Sequence, residues 1–248
     1  MRRVLPILFN GDMVRAILDG RKTITRRVIK PHNARKANEQ EYCQGNGLWV
    51  DHSTDNGDHE GHIKDYSISP CWISWSHYIQ MYAPYRIGDI LYVRETWCMN
   101  YYHKYGKYFY RADGEEIEIP TICGKQAIFG KAEGLKWRPS IHMPKAAARI
   151  WLKVTDVRIE RLRDITDEQI LKEGANLEAI KHYIAQMPEE TEEWISAAHA
   201  VEFSHLWNST IKEPDLARYS WDAKPWVWVI EFERCEKPEG EKLCQKSI

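Results

Sequence analysis

The sequence predicts an α+β protein in which a small antiparallel sheet bends into a barrel and carries helices on its outside. One observation is an alternating run of apolar residues that changes parity once, as at a β-bulge where small barrels bend. The residues of this run are Ile150, Leu152, Val154, Val157 and Ile159. A second is an apolar, β-prone run from Trp226 to Glu233 after Pro225, and a third is a set of helix signals lying between these two strands.

The first predicted element is a helix that begins near Gly11 or Asp12 and ends at Gly20, which has the position of a C-terminal cap. Its apolar stripe consists of Met13, Ala16 and Ile17. The residues from Thr23 to Ile29 are β-prone, so a strand is expected directly after the helix.

Residues 31–84 interrupt the hydrophobic pattern, because they are rich in Asn, Gly, Asp and His and have weak periodicity. They are predicted to be a long insertion, with possible short strands at Leu48–Asp51 and Cys71–Ser76. We therefore expect one domain over residues 1–235, including this insertion, and a frayed polar tail over residues 236–248.

The remaining elements follow from local signals. Thr166 and Gln169 form a capping-box pattern for a short helix that stops at Gly174. Further strands are predicted at Ile90–Val93 and Tyr105–Arg111, and further helices at about Leu177–Gln186 and Glu190–Trp207.

Composition excludes several classes of function. The 35 basic and 36 acidic residues leave a net charge of −1, so any nucleic-acid site must come from a local basic patch. No apolar run approaches transmembrane length and no signal-peptide core is present, so a soluble, cytoplasmic protein without a membrane partner is expected. The 11 Trp and 13 Tyr residues suit stacking on nucleobases, although strand-rich cores use them equally well.

Neither a metal nor an organic cofactor is expected. A loose group of possible ligands comprises Cys43, His52, His59, His62 and Cys71. No Cys-x-x-Cys pair anchors this group, and the chain has no phosphate-binding or dinucleotide-binding glycine motif. The six cysteines are scattered and are expected to be free thiols.

The segment from Gly20 to Arg27 carries the side chains most suited to a functional site. Lys22 and two threonines, Thr23 and Thr25, lie between the end of the predicted helix and the predicted strand. Three arginines lie in the same segment: Arg21, Arg26 and Arg27. From spacing alone, a basic edge strand is the simpler interpretation.

Several blocks together resemble the ASCH-domain proteins of the PUA-like superfamily, in particular those of phages and prophages. The blocks are Pro6–Phe9, Ala16–Arg27, Gly88–Trp97, Trp137–Pro144, Ile159–Leu162 with Ile165–Thr166, and Ser220–Asp222 with Pro225–Phe232. The resemblance implies a PUA-like antiparallel β-barrel, but it does not single out an activity.

Within that family, bacterial enzymes that hydrolyse N4-acetylcytidine share the run Gly-Arg-Lys-Thr-Ile-Thr. This likeness implies that Lys22, Thr25 and Glu173 are catalytic. Amide hydrolysis needs a nucleophile, a base for its proton and an acid for the leaving nitrogen. Glu173 precedes Gly174 at the end of a predicted helix, where the helix dipole disfavours an ionised carboxylate.

Substrate-binding candidates come from three places. The first segment contributes Arg21, Thr23 and Arg26; the predicted strand end contributes Arg94 and Glu95; and a Pro-bounded loop contributes Trp137, Arg138 and His142. The strand-end pair is equally consistent with a structural ion pair, and the loop with ordinary packing beside a barrel mouth.

Three functions compete at this point. The first is an amidohydrolase acting on N4-acylated cytidine or a similar small modified nucleoside. The second is a PUA-like module that binds RNA or a modified base without catalysis, and the third is a phage ribonuclease. One geometric condition applies to the first: in a regular strand Lys22 and Thr25 point to opposite faces, so the chain around Lys22 must be turn-like or bulged.

Overall fold

The fold is described from a computed structural model of the chain. The structure describes residues 2–30, 49–50, 62–64, 73–100, 107–114, 116–119, 128–131, 136–189 and 191–238. In this part of the chain, no helix is long and apolar enough to cross a membrane.

Helices and strands are mixed along the described chain. The helices are Gly11–Leu18 (α1), Trp75–Tyr82 (α2), Asp167–Lys172 (α3), Leu177–Ile184 (α4), Glu192–Thr210 (α5) and Leu216–Tyr219 (α6). The first strands are Val4–Leu8 (β1), Ile24–Val28 (β2), Trp49–Val50 (β3), His62–Lys64 (β4), Ile73–Ser74 (β5) and Ile90–Arg94 (β6). The later strands are Trp97–Asn100 (β7), Lys107–Tyr110 (β8), Glu116–Ile119 (β9), Ile128–Lys131 (β10), Trp151–Arg161 (β11) and Trp226–Cys235 (β12).

The largest sheet has five strands in the order β1-β6-β11-β12-β2. β1 pairs with β6 in parallel, whereas β6–β11 and β12–β2 are antiparallel. Smaller sheets join β3-β4-β5, β7-β8 and β9-β10. The α+β class is therefore confirmed, but the described strands do not close into an all-antiparallel barrel, because β1 and β2 end the order and one pair is parallel.

The chain divides into two compact units whose segments alternate in sequence. The first comprises Met1–Lys22, Gly88–Val154 and Phe232–Ile248, and the second comprises Thr23–Ile87 and Thr155–Glu231. The expectation of a single domain over residues 1–235 stays a prediction.

In the first unit, α1 forms because its start is capped and one face is apolar. The Asn10 side chain accepts a hydrogen bond from the Met13 amide at 2.9 Å, as in a standard N-cap. The buried face consists of Met13, Val14, Ala16 and Ile17, which includes the whole predicted stripe. Phe9, which follows β1 in the chain, is buried, and its ring centroid lies 6.1 Å from that of Phe232.

In the second unit, the helices α3 to α5 pack on one face of the β2–β12 pair. The core of this packing includes Ile24, Ile170, Ile180, Phe203, Trp207, Trp221, Val227 and Val229. The Trp207 indole N–H donates to the Tyr219 carbonyl at 2.7 Å, so the polar edge of this buried ring is satisfied.

Most local predictions are confirmed. The capping box of Thr166 and Gln169 is present, and buried residues change parity between Val154 and Val157 with an exposed residue between them. The prediction of a strand at Cys71–Ser76 is wrong after Ser74, because the Ser74 hydroxyl caps the helix α2, which begins at the next residue. The N-terminal strand β1 was not expected either, and the predicted tail lies outside the described residues from 239 onward.

Candidate functional site

The turn after α1 fixes the backbone of Lys22. Gly20 has a φ of +76°, and its amide donates to the Ile17 carbonyl at 3.1 Å. The amides of Arg21 and Lys22 both donate to the Ala16 carbonyl, at 2.9 and 3.0 Å. This is a Schellman-type helix end extended by one residue. Because β2 begins only at Ile24, Lys22 belongs to the turn, so the condition set by the sequence is met.

The Lys22 side chain is 2% exposed, which is unusual for a lysine. Its Nζ lies 5.5 Å from the centroid of the Phe9 ring. The face of an aromatic ring attracts a charged ammonium group.

The strand β2 presents two different faces. In its register with β12, Arg26 pairs with Val229, whose side chain lies in the helix-covered core with Ile24. Alternation therefore directs Arg26 toward the helices α3 to α5, and Thr25 and Arg27 to the opposite face.

Thr25 on this opposite face is bound by a cation. Its side chain is 1% exposed, and its Oγ1 accepts a hydrogen bond from Arg27 Nη1 at 3.0 Å. Burial lowers the pKa of Arg27, while Tyr85 and Glu173 oppose that change. Arginine nevertheless stays charged in proteins, so the donor of this hydrogen bond is a cation.

The Arg26 guanidinium donates hydrogen bonds to three acceptors on the face of β2 that lies toward the helices α3 to α5. The acceptors are Glu173 Oε1 at 3.2 Å, Glu160 Oε2 at 3.0 Å and Gln169 Oε1 at 2.8 Å. The Arg26 side chain is 1% exposed, and its Nε has no acceptor among the described residues. A buried donor without a partner is uncommon and is typical of a strained or functional place.

Glu173 lies at the C-terminal end of α3 and is buried. Gly174 follows with a φ of +86°, so the chain reverses directly after the carboxylate. The Thr23 amide donates to the Lys172 carbonyl at 2.9 Å, which holds the start of β2 against the end of α3. Lys22 is the residue before Thr23 in the chain, and Glu173 is the residue after Lys172.

Aromatic residues of α2 cover the Thr25 face of the sheet. Trp228 lies opposite Arg27 in the β12–β2 register, and the Tyr78 ring stacks on it with centroids 5.7 Å apart and planes 15° apart. Tyr82 continues the cluster at 4.9 Å from Tyr78. Burial raises the pKa of Tyr85, opposed by the neighbouring Arg27.

Sequence reasoning missed this aromatic cover and the role of Arg27. The segment before Tyr85 looked like a polar insertion, although Tyr78 and Tyr82 have the i, i+4 spacing of one helix face after a capping serine. That spacing was the available signal.

Arg94 and Glu95, predicted as neighbours in a site or an ion pair, do not pair with each other. Glu95 is buried and receives two hydrogen bonds from Arg149, at 2.9 and 3.0 Å, while Arg94 Nε donates to the Met143 carbonyl at 2.8 Å. Burial raises the pKa of Glu95, and Arg149 opposes that shift. These contacts hold both side chains in the first unit, and their substrate-binding roles stay predictions.

The loop from Trp137 to His142 is anchored at one end. Arg138 and Trp97 exchange backbone hydrogen bonds of 3.2 and 2.8 Å, and the Arg138 guanidinium lies 5.3 Å from the Trp97 ring centroid. Arg138 and His142 are exposed and Trp137 is half-buried. Their substrate-binding roles stay predictions.

Two further expectations concern the surface and metals. Arg21 makes a half-exposed ion pair with Asp19 at 3.1 Å, which is an ordinary helix-end contact. Within the described ranges, no group of three or more His, Cys, Asp or Glu residues could hold a metal ion. The candidate ligands Cys43, His52, His59 and Cys71 lie outside those ranges.

The described contacts thus join Arg27 to Thr25 and Arg26 to Glu173. The convergence of Lys22, Thr25 and Glu173 on one substrate stays a prediction. Comparison of the chain with protein-family models, with curated proteins and with solved structures found no match.

Proposed function

We propose that this protein is an amidohydrolase with a PUA-like ASCH fold that removes the acyl group from N4-acylated cytidine. In this proposal Lys22 is the base, Thr25 is the nucleophile or the hydroxyl that positions water, and Glu173 protonates the leaving amine. The observation that carries it is the buried Thr25 hydroxyl held by the Arg27 guanidinium at 3.0 Å.

Attack by the threonine oxygen requires negative charge to develop on that oxygen. A threonine hydroxyl is too weakly acidic to lose its proton unaided, so a base and a nearby cation are both needed. Arg27 meets the second need, because a charged donor stabilises an alkoxide more than a neutral hydroxyl. Lys22 is proposed to meet the first by accepting the proton from the hydroxyl.

The carbon–nitrogen bond then breaks. The electron pair of that bond goes to the exocyclic nitrogen of cytosine, and a proton from Glu173 converts it to the free amine. The acyl group passes to the Thr25 oxygen and is then released by water, or it passes to water directly. Each route yields cytidine and a carboxylic acid, and neither needs an oxidant or a metal.

Glu173 is buried and accepts a hydrogen bond from Arg26 at 3.2 Å. As a proton donor, Glu173 must be protonated before the amine leaves. Glu173→Gln keeps the hydrogen bond to Arg26 through the amide oxygen but removes the transferable proton.

The test compares two threonines of the same segment. Thr25→Val should lower the hydrolysis of N4-acetylcytidine, followed by ultraviolet absorbance, by about 10²-fold or more. Thr23→Val is the comparison variant, because it removes the alternative hydroxyl two residues earlier; since Thr23 is a candidate for binding the substrate and not for the chemistry, this variant should lose far less of the rate than Thr25→Val. The reverse result would move the site to Thr23, and full activity in both variants would refute a threonine mechanism.

Binding of RNA without catalysis is the second candidate. It is favoured by the run from Lys136 to Lys153, which is basic throughout: Lys136, Arg138, Lys145, Arg149 and Lys153 occur without one acidic residue between them. Two of these cations, however, are neutralised in the fold by Glu95, Asp113 and Glu233. Phosphate neutralisation dominates the affinity for polymers, so this loss favours a nucleoside as the ligand.

A further inference from the structure

We propose that Gln169 and Arg26 are positioning residues for Glu173, the proton donor of the proposed amidohydrolase. Gln169 orients the Arg26 guanidinium, and that guanidinium in turn holds the Glu173 carboxyl group in the direction of the leaving amine. The inference rests on the proposed function and adds to it the residues that align its acid.

The Arg26 guanidinium is fixed at one of its nitrogen atoms. Nη2 donates to Gln169 Oε1 at 2.8 Å and to Glu160 Oε2 at 3.0 Å. Gln169 belongs to α3 and Glu160 to β11, so this atom is held by two different elements of the same unit. A guanidinium is a planar, rigid fork of donors. Fixing Nη2 therefore also fixes the direction of Nη1, which donates to Glu173 Oε1 at 3.2 Å.

The Gln169 side chain is itself held by the capping box of α3. Its Oε1 also accepts a hydrogen bond from the Thr166 amide at 3.1 Å, while its backbone amide donates to Thr166 Oγ1 at 3.3 Å. Gln169 and Glu173 are four residues apart, so they lie on the same face of the helix, and Arg26 contacts both. An amide group tied to the start of α3 thus orients the cation that binds the carboxyl group at its end.

Burial gives the contact between Arg26 and Glu173 a defined direction. Their side chains are 1% and 5% exposed, and a hydrogen bond donated by a cation is stronger than one between neutral groups. The Nη1 contact is made with Oε1 of the carboxyl group. A carboxyl group that accepts a hydrogen bond at one oxygen can carry its proton on the other, so this contact is compatible with proton donation.

Gln169 and Arg26 transfer no proton in this scheme. A general acid acts only when its proton lies within hydrogen-bond reach of the leaving atom. A displacement of about 1 Å from that geometry can cost on the order of 10²-fold in rate. Because the amine is protonated as it leaves and not when the substrate binds, a loss of alignment lowers kcat and leaves KM near its wild-type value.

The test is Gln169→Ala, with N4-acetylcytidine as the substrate and release of cytidine as the readout. We expect kcat to fall about tenfold or more, with KM near the wild-type value. Thr166→Ala is the matched control, because it removes the other side-chain hydrogen bond of the same capping box and leaves the acceptor for Arg26 in place. It should weaken the cap of α3 and keep the wild-type kcat.

A double variant tests whether Gln169 acts through Glu173. Glu173→Gln removes the transferable proton, so Gln169→Ala should cost little further rate in that background. The slow variants are followed at high enzyme concentration by chromatography of the released cytidine. Loss of the same factor in both backgrounds would show that Gln169 acts independently of Glu173, and it would overturn the positioning role.

The outcomes separate the two proposals. Wild-type hydrolysis together with an unchanged kcat in Gln169→Ala would overturn the positioning role alone. Equal losses of kcat in Gln169→Ala and Thr166→Ala would show that only the cap of α3 matters, and would also overturn it. An inactive wild-type protein, or wild-type turnover in Glu173→Gln, would overturn the proposed mechanism and the positioning role with it.

Discussion

Replacing Gly20 by alanine tests whether the turn after α1 positions Lys22. Gly20 has a φ of +76°, and a Cβ added there would meet no atom within 4 Å, so the penalty is purely one of backbone conformation. A left-handed conformation costs a non-glycine residue about 1–2 kcal/mol. Loss of unfolded-state freedom returns about 0.4–1 kcal/mol. The free energy of unfolding should therefore fall by roughly 1 kcal/mol.

Gly88→Ala is the matched control for this change. Gly88 has a φ of +86° and the same open surroundings, so its variant should lose a similar amount of stability in urea unfolding. Only Gly20→Ala should also lower the rate of N4-acetylcytidine hydrolysis, by about tenfold or more, because small displacements of a catalytic group are costly. Wild-type stability in Gly20→Ala would refute the strain argument. Equal rate losses in both variants would refute the positioning of Lys22 by the turn.

Two more predictions concern buried charges. Arg26→Met should lower the free energy of unfolding by about 3–5 kcal/mol, because it removes one partner of the buried Arg26–Glu173 ion pair, and urea unfolding measures the loss; a loss below 1 kcal/mol would contradict the burial of that pair. Glu95 has a raised pKa in the fold, so the folded protein binds its proton more tightly than the unfolded chain. Its contribution is fully present below the ordinary pKa of a glutamate and is lost as the pH rises through the folded value. Thermal unfolding of Glu95→Gln should show a weaker decline over that range than the wild type, and identical pH profiles would refute this.

Local sequence signals were sufficient for the parts of the fold that depend on neighbouring residues. The helix end at Gly20 and the capping box at Thr166 were predicted because each involves atoms only a few residues apart. The parallel pairing of β1 with β6 was not, since Val4 and Ile90 are far apart in sequence and no local pattern specifies such a pairing.

In the candidate site, too, the sequence predicted what depends on neighbouring residues and not what depends on distant ones. The sequence singled out Lys22, Thr25 and Glu173, but it did not show which arginine each polar group would meet. Alternation along β2 places Arg27 on the same face as Thr25 in any register. A shift of the pairing by one residue would exchange the faces of Arg26 and Arg27, so only the pairing with β12 shows which of them lies under the helices α3 to α5.

Hydrolysis of N4-acetylcytidine by the purified protein, with chelator present, is the most direct test of the proposed function. The account predicts that the wild-type protein releases cytidine and acetate. It also predicts that Lys22→Arg, in which the guanidinium cannot give up its proton, lowers the rate about 10²–10⁴-fold. Wild-type turnover in Lys22→Arg would contradict the mechanism. A wild-type protein that binds RNA in a salt-dependent way and releases no cytidine would contradict the function itself.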